Sequence, residues 1–227
     1  MTQRSLEEIP LSDGGELHLT VATPESAVRG GIVVVPDARG VTDTVWQLAE
    51  GLAREGWLAV IPHLYHRCGV DDAEDGDPEQ VHRYVARLSA ESVDTDIDAS
   101  LRWLAKHGFA ADRIGVVGFG LGGAVALIVA ARRDVGAAVT VDGIGVVVPV
   151  APMLPALVEA APGLRCPWLG LYGDRSGVAE EEVHKLRDAA HSARVATDLV
   201  HYCLDTDQST ADETWARTLN WFDCHLR

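Results

Sequence analysis

One stretch, Asp112 to Leu127, constrains this chain more than any other. It opens with a short apolar run, Ile114–Val117, of the kind that forms a strand buried on both faces. It turns on four glycines, Gly118, Gly120, Gly122 and Gly123, and continues as an alanine-rich apolar helix over Ala124–Arg132. Strand, glycine turn and helix together serve two different sites. One is the nucleophile elbow, with its small-x-nucleophile-x-small-small spacing. The other is the phosphate-binding turn G-x-G-x-x-G. Gly120 stands where an elbow carries Ser or Cys, and glycine has no group with which to attack.

The segments on either side place this unit in an alternating pattern. Leu6–Leu11 and Glu16–Thr23 flank Ser12-Asp13-Gly14-Gly15, which predicts an opening β-hairpin. Gly31–Pro36 and Trp57–Pro62 read as buried strands, with a helix over Thr44–Glu55 capped by Thr42 or Asp43 and stopped by Gly56. Pro78 suits the first turn of a helix. Ser92–His107 predicts the next helix, ending at Gly108. Beyond the glycine turn come strands at Gly136–Val141, Trp168–Tyr172 and Thr197–Leu204, and helices over Val178–Ser192 and Thr210–Leu226. Strands alternating with helices imply a mostly parallel sheet with helices on both faces.

At 227 residues the chain has the length of one sizeable α/β domain. A net charge of −15 argues against nucleic acid or an anionic membrane as partner. No uncharged apolar run approaches the roughly 20 residues that span a bilayer. The first residues lack the apolar segment of a signal peptide. Cys68, Cys166, Cys203 and Cys224 form no C-x-x-C pair, so a reducing cytoplasm is the expected setting. No H-x-x-x-H or comparable spacing supports a metal, and no cofactor is expected.

Five stretches, taken together, resemble the dienelactone hydrolase family of α/β-hydrolases. They are Val33–Val41 with Asp37, Ala59–His66, the glycine turn Gly118–Gly123, Pro167–Asp174, and Thr214–Phe222. The resemblance implies one α/β-hydrolase domain over residues 1–227, with about eight mostly parallel strands. It also implies a Cys or Ser, Asp, His triad in that chain order. The positions it assigns to those groups hold Gly120, Ser176 and Asp207. Covalent acyl transfer needs an activated nucleophile and a base within about 2.6–3.2 Å of it. The expectation is therefore a homologue without triad hydrolysis that binds a small molecule or a protein partner, as monomer or homodimer. Asp37, Arg39, His66, Leu121, Asp142, Cys203 and Asp207 are the candidates for lining its pocket, with Gly120. The alternative is an active hydrolase or lyase with relocated chemistry, drawing on Asp37, His66, Cys203 or Asp207. A third reading takes Gly118-x-Gly120-x-x-Gly123 literally as a nucleotide or anion turn, with Asp142 placed to meet a ribose hydroxyl.

Overall fold

A computed structural model describes residues 2–70, 77–150, 154–174, 176–202 and 207–227; the side chains of residues 207 and 208 lie outside that description. The chain forms two compact halves, Met1–Ile114 and Gly115–Arg227.

The first half holds four strands in the order β1-β2-β4-β3. β1 (Gln3–Pro10) and β2 (Glu16–Thr23) form the predicted antiparallel hairpin, pairing Leu6 with Thr20 and Ile9 with Leu17. Its turn closes through a 2.8 Å bond from Leu11 N–H to the Gly15 carbonyl. β2 runs antiparallel to β4 (Trp57–Pro62), and β4 runs parallel to β3 (Gly30–Val35). Every residue of β3 and β4 is buried, as their unbroken apolar sequence requires. α1 (Asp43–Arg54) starts at Thr42, whose hydroxyl accepts from the Val45 N–H at 3.4 Å. α2 spans Pro78–Val85 behind an Asp77 cap. α3 (Ala90–Lys106) begins two residues before the predicted Ser92. The cap is Ser89, which exchanges 3.0 Å side-chain to backbone bonds with Ser92, so Ser92 is the far partner of a capping box.

The second half is wholly parallel, in the order β5-β6-β7-β8. The strands are β5 (Ile114–Phe119), β6 (Ala137–Val141), β7 (Trp168–Gly173) and β8 (Thr197–Tyr202). α4 (Leu121–Arg132) is buried from Leu121 through Ala130, which accounts for its apolar character on every side. A chain of hydrogen bonds ties it to the strands. The Trp168 indole donates to Thr140 Oγ1 at 3.0 Å, and Thr140 Oγ1 donates to the Gly123 carbonyl at 3.0 Å. α5 (Leu157–Ala160), α6 (Glu180–His191) and α7 (Asp207–His225) complete this half. Boundaries in this half differ from the sequence reading: α4 opens at Leu121 rather than Ala124, α6 at Glu180 rather than Val178, and α7 at Asp207 rather than Thr210, while Cys203 and Leu204, read as the end of the last strand, lie outside the described residues. An acidic residue in a first turn suits the positive end of the helix dipole. Among the described residues no helix is long and apolar enough to cross a membrane.

The passage from β5 to α4 admits only glycine at two places. A Cβ on Gly118 would overlap the Gly122 carbonyl, and one on Gly123 would stand 2.9 Å from the Val141 carbonyl oxygen. Both neighbours are backbone atoms that cannot rotate away. Gly118→Ala is therefore expected to cost about 3 kcal/mol, read as a lowered urea midpoint at unchanged m-value.

Candidate functional site

The turn between β5 and α4 has the geometry of a nucleophile elbow. Gly120 holds φ 52° and ψ −113°, a conformation disfavoured for any residue with a Cβ. Its N–H donates to the Val141 carbonyl at 3.0 Å. Its own carbonyl accepts from Ala124 N–H at 3.1 Å and from Ile144 N–H at 3.2 Å. The bond from Ala124 is the first of the helix, so the amides of Leu121, Gly122 and Gly123 precede the intrahelical ladder. The two bonds to residues 141 and 144 bracket Asp142 and draw its loop against the elbow.

Asp142 follows β6 and is the single non-glycine residue with positive φ, 48°, among the described residues. Its half-buried carboxylate turns along the strand ends, and Oδ1 accepts from Gly173 N–H at 2.9 Å. Burial holds its carboxyl above the usual range, against the opposing pull of the Gly173 N–H and of His201. Asp174, the residue after β7, places Oδ1 3.3 Å from Nε2 of His201 on β8. His201 was not singled out from the sequence. Its signal was an imidazole at the carboxyl end of a predicted strand, where open α/β sheets gather their ligands. Tyr202 beside it shares a hydroxyl hydrogen bond with Thr214 on α7.

The other candidates in this half sort differently. Leu121 is buried as the first residue of α4. Ser176 closes a turn: its N–H donates to the Gly173 carbonyl at 3.0 Å, and Oγ accepts from Val178 N–H at 3.2 Å. Asp207 is the first residue of α7, with its side chain outside the described atoms. Cys203 lies outside the described residues.

In the first half, Asp37 and Arg39 are brought together. Asp37 Oδ1 accepts from Arg39 N–H at 2.8 Å, and Oδ2 lies 3.3 Å from the guanidinium. The Tyr65 hydroxyl donates to the Ala38 carbonyl at 2.6 Å. Burial and the charge of Asp37 push that phenol above its ordinary range. His66 is paired within this half. Its side chain is only 6% exposed, and Nε2 lies 3.2 Å from both oxygens of Asp96, a fully buried residue of α3. Arg67 reaches the same carboxylate at 2.7 and 2.9 Å and bonds Asp13 of the hairpin turn at 2.9 Å. A buried carboxylate needs donors around it, and Arg67 supplies two N–H bonds, with the His66 imidazole against both groups. Periodicity places Asp96 on the inward face of α3, but nothing in the sequence pairs it with residues thirty positions earlier. Among the described residues no group of three His, Cys, Asp or Glu is placed to hold a metal ion.

The model of the dienelactone hydrolase family matches residues 17–226, across both halves. The chain belongs to the dienelactone hydrolase family. Its relatives include two proteins provisionally named carboxymethylenebutenolidases. One, from Yersinia pestis, is 29% identical over 94% of this chain and 86% of its own length. The other, from Salmonella typhimurium, is 30% identical over 93% and 84%. A solved structure from Klebsiella pneumoniae, provisionally titled a dienelactone hydrolase, has a TM-score of 0.87 at 28% identity, covering 98% of this chain and 99% of that one. The family's α/β-hydrolase fold, of eight mostly parallel strands with helices, is thereby the fold of this chain.

Two outcomes follow for the family member's charged groups. The unfolded chain ionises Asp142 at a lower pH than the fold does, so stability falls as pH rises past the ordinary carboxylate range. Asn keeps an acceptor for Gly173 and tolerates positive φ. Asp142→Asn should therefore gain up to about 1 kcal/mol at pH 7, a gain that disappears near pH 3 where both states are protonated; urea titrations at the two pH values check this. Asp96→Ala strands Arg67 and His66 without their carboxylate and is expected to cost about 3–5 kcal/mol, read by thermal and chemical denaturation.

Proposed function

We propose that this chain uses the family's site to bind a small molecule and does not carry out triad-dependent hydrolysis. The observation that carries the reading is Gly120. It occupies the elbow conformation and has no atom with which to attack a carbonyl carbon. The chemistry around it supports the same reading. At the position matched to the triad acid, Ser176 spends its hydroxyl on the turn at Val178. At the position matched to the histidine stands Asp207, and an ordinary carboxylate is too weak a base to activate a nucleophile at neutral pH. Loss of a whole triad costs about 10⁶ in turnover in a studied protease.

The names of the relatives favour a second reading, an active hydrolase or lyase with relocated groups. His66 is the weakest of its candidates, since Asp96 and Arg67 both lie against its Nε2. A cytoplasmic setting belongs to the same proposal and is supported by free thiols at Cys68, Cys166 and Cys224.

Hydrolysis of p-nitrophenyl acetate and of a dienelactone by the purified chain is expected to stay near the buffer rate. Gly120→Cys should not restore it, because Ser176 and Asp207 stand at the positions matched to the triad's acid and histidine, and should destabilise the turn by about 1–3 kcal/mol. Turnover in the ordinary range of about 1–10³ s⁻¹ that is lost in Gly120→Ala overturns the reading.

A further inference from the structure

The nine histidines differ sharply in what they are free to do. His66 is closed in by Asp96 and Arg67. His63 is buried against Thr20 at 2.8 Å. His107 and His225 lie against Trp103 and Trp221. His184 pairs with Glu180 on the exposed face of α6, and His82 and His191 are exposed on their helices. His18 faces Glu8 across the β1–β2 hairpin at 4.0 Å. His201 alone combines a carboxylate partner, partial access to solvent at 20% exposure, and a place at the carboxyl end of a parallel strand.

Its surroundings form a row along that edge. The register sets Tyr172 beside His201, and Asp142 lies one residue past the Val141–Leu171 pair. Asp142 therefore stands level with them on the far side of β7, anchored through Oδ1 to Gly173 N–H. The charged groups recorded about His201 are Asp174 at the end of β7 and Asp142 at the end of β6. The Asp174 carboxylate sits against the Nε2 edge of the ring, so Nδ1 faces away from it. A carboxylate beside one ring nitrogen is the arrangement that orients an imidazole as a base. Asp142, more desolvated, has one oxygen committed to the backbone and the other with no hydrogen-bond partner among the described residues.

We propose that His201 is a general base, positioned by Asp174, that takes a proton from the carbon next to a carbonyl in a bound small molecule while Asp142 serves the carbonyl oxygen as acid. The proposal rests on the small-molecule reading of the same edge. The step needs no nucleophile at position 120 and no co-reactant. The C–H proton passes to Nδ1, and its electron pair becomes the C=C of an enol. The carbonyl π pair takes the Asp142 proton, and the reverse transfers restore the ketone. Burial that raises the Asp142 carboxyl increases the fraction able to donate. A base and an acid set apart by environment are the pair such chemistry uses.

The experiment is exchange of solvent deuterium into cyclohexanone and pyruvate, followed by proton NMR. Wild type should exceed buffer containing equimolar imidazole. His201→Gln should lose about 10²-fold or more. Asp174→Asn, with only the positioning residue changed, should keep part of the rate, lowering the exchange rate at saturating ketone while leaving the KM little changed. Circular dichroism confirms that each variant is folded. Exchange at the imidazole rate in wild type, or an unchanged rate in His201→Gln, overturns the proposal. Ester turnover by wild type overturns the binding reading instead, so the two failures are distinguishable.

Discussion

The contact of backbone on backbone between β5 and α4 is the constraint on which the second half of the molecule depends. Gly118 and Gly123 let strand and helix approach to a distance that no side chain permits. Gly120 then reverses the chain between them, giving one hydrogen bond to Val141 and accepting one from Ile144. Through those two bonds the elbow sets the loop that carries Asp142. Through Thr140 and Trp168 the same helix is fastened to β6 and β7. The carboxyl edge of this half is thus positioned from one turn, and its polar groups inherit their places from backbone geometry.

Those local rules explain why much of the fold was legible in the sequence. Ile32–Val35 and Val60–Pro62 have no alternation to misread, and only a doubly covered strand buries such a run. Ser12-Asp13-Gly14-Gly15 names its own hairpin. The boundaries that shifted are those where two caps compete. Ser89 and Ser92 are both good cap residues, and their reciprocal bonds decide which one is outermost. At α7 the acidic run around Asp207 suits a helix start as well as a loop.

The site was legible only where it is made of backbone. The turn at Gly118–Gly123 and the acid at Asp142 are one continuous stretch of chain and could be located by spacing. The side-chain partners could not. His66 and Asp96 are thirty residues apart, and His201 and Asp174 come from different strands. The periodicity that places each residue on a face says nothing about which opposite charge will face it. The sequence offers His66 because it stands after a strand in a family-like segment, but a fully buried carboxylate on α3 has the stronger claim on it. A charge inside the protein requires its donors, whereas a ligand pocket only benefits from them.

Glycine at position 120 has an energetic side as well as a chemical one. A nucleophilic Ser or Cys in this conformation stores about 1–3 kcal/mol of backbone strain, which the surrounding fold must offset. Glycine adopts φ 52° without that cost. The chain therefore makes the sharp turn, the helix N-terminus behind it and the loop it holds without that strain. The one non-glycine residue still held at positive φ among the described residues is Asp142, beside the elbow rather than in it. A strained polar residue persists where its surroundings fix it, and here they do so through Gly173 N–H and the Leu171 carbonyl. Those anchors fix the Asp142 carboxylate among the strand ends, which is what the proposed proton transfer requires of it.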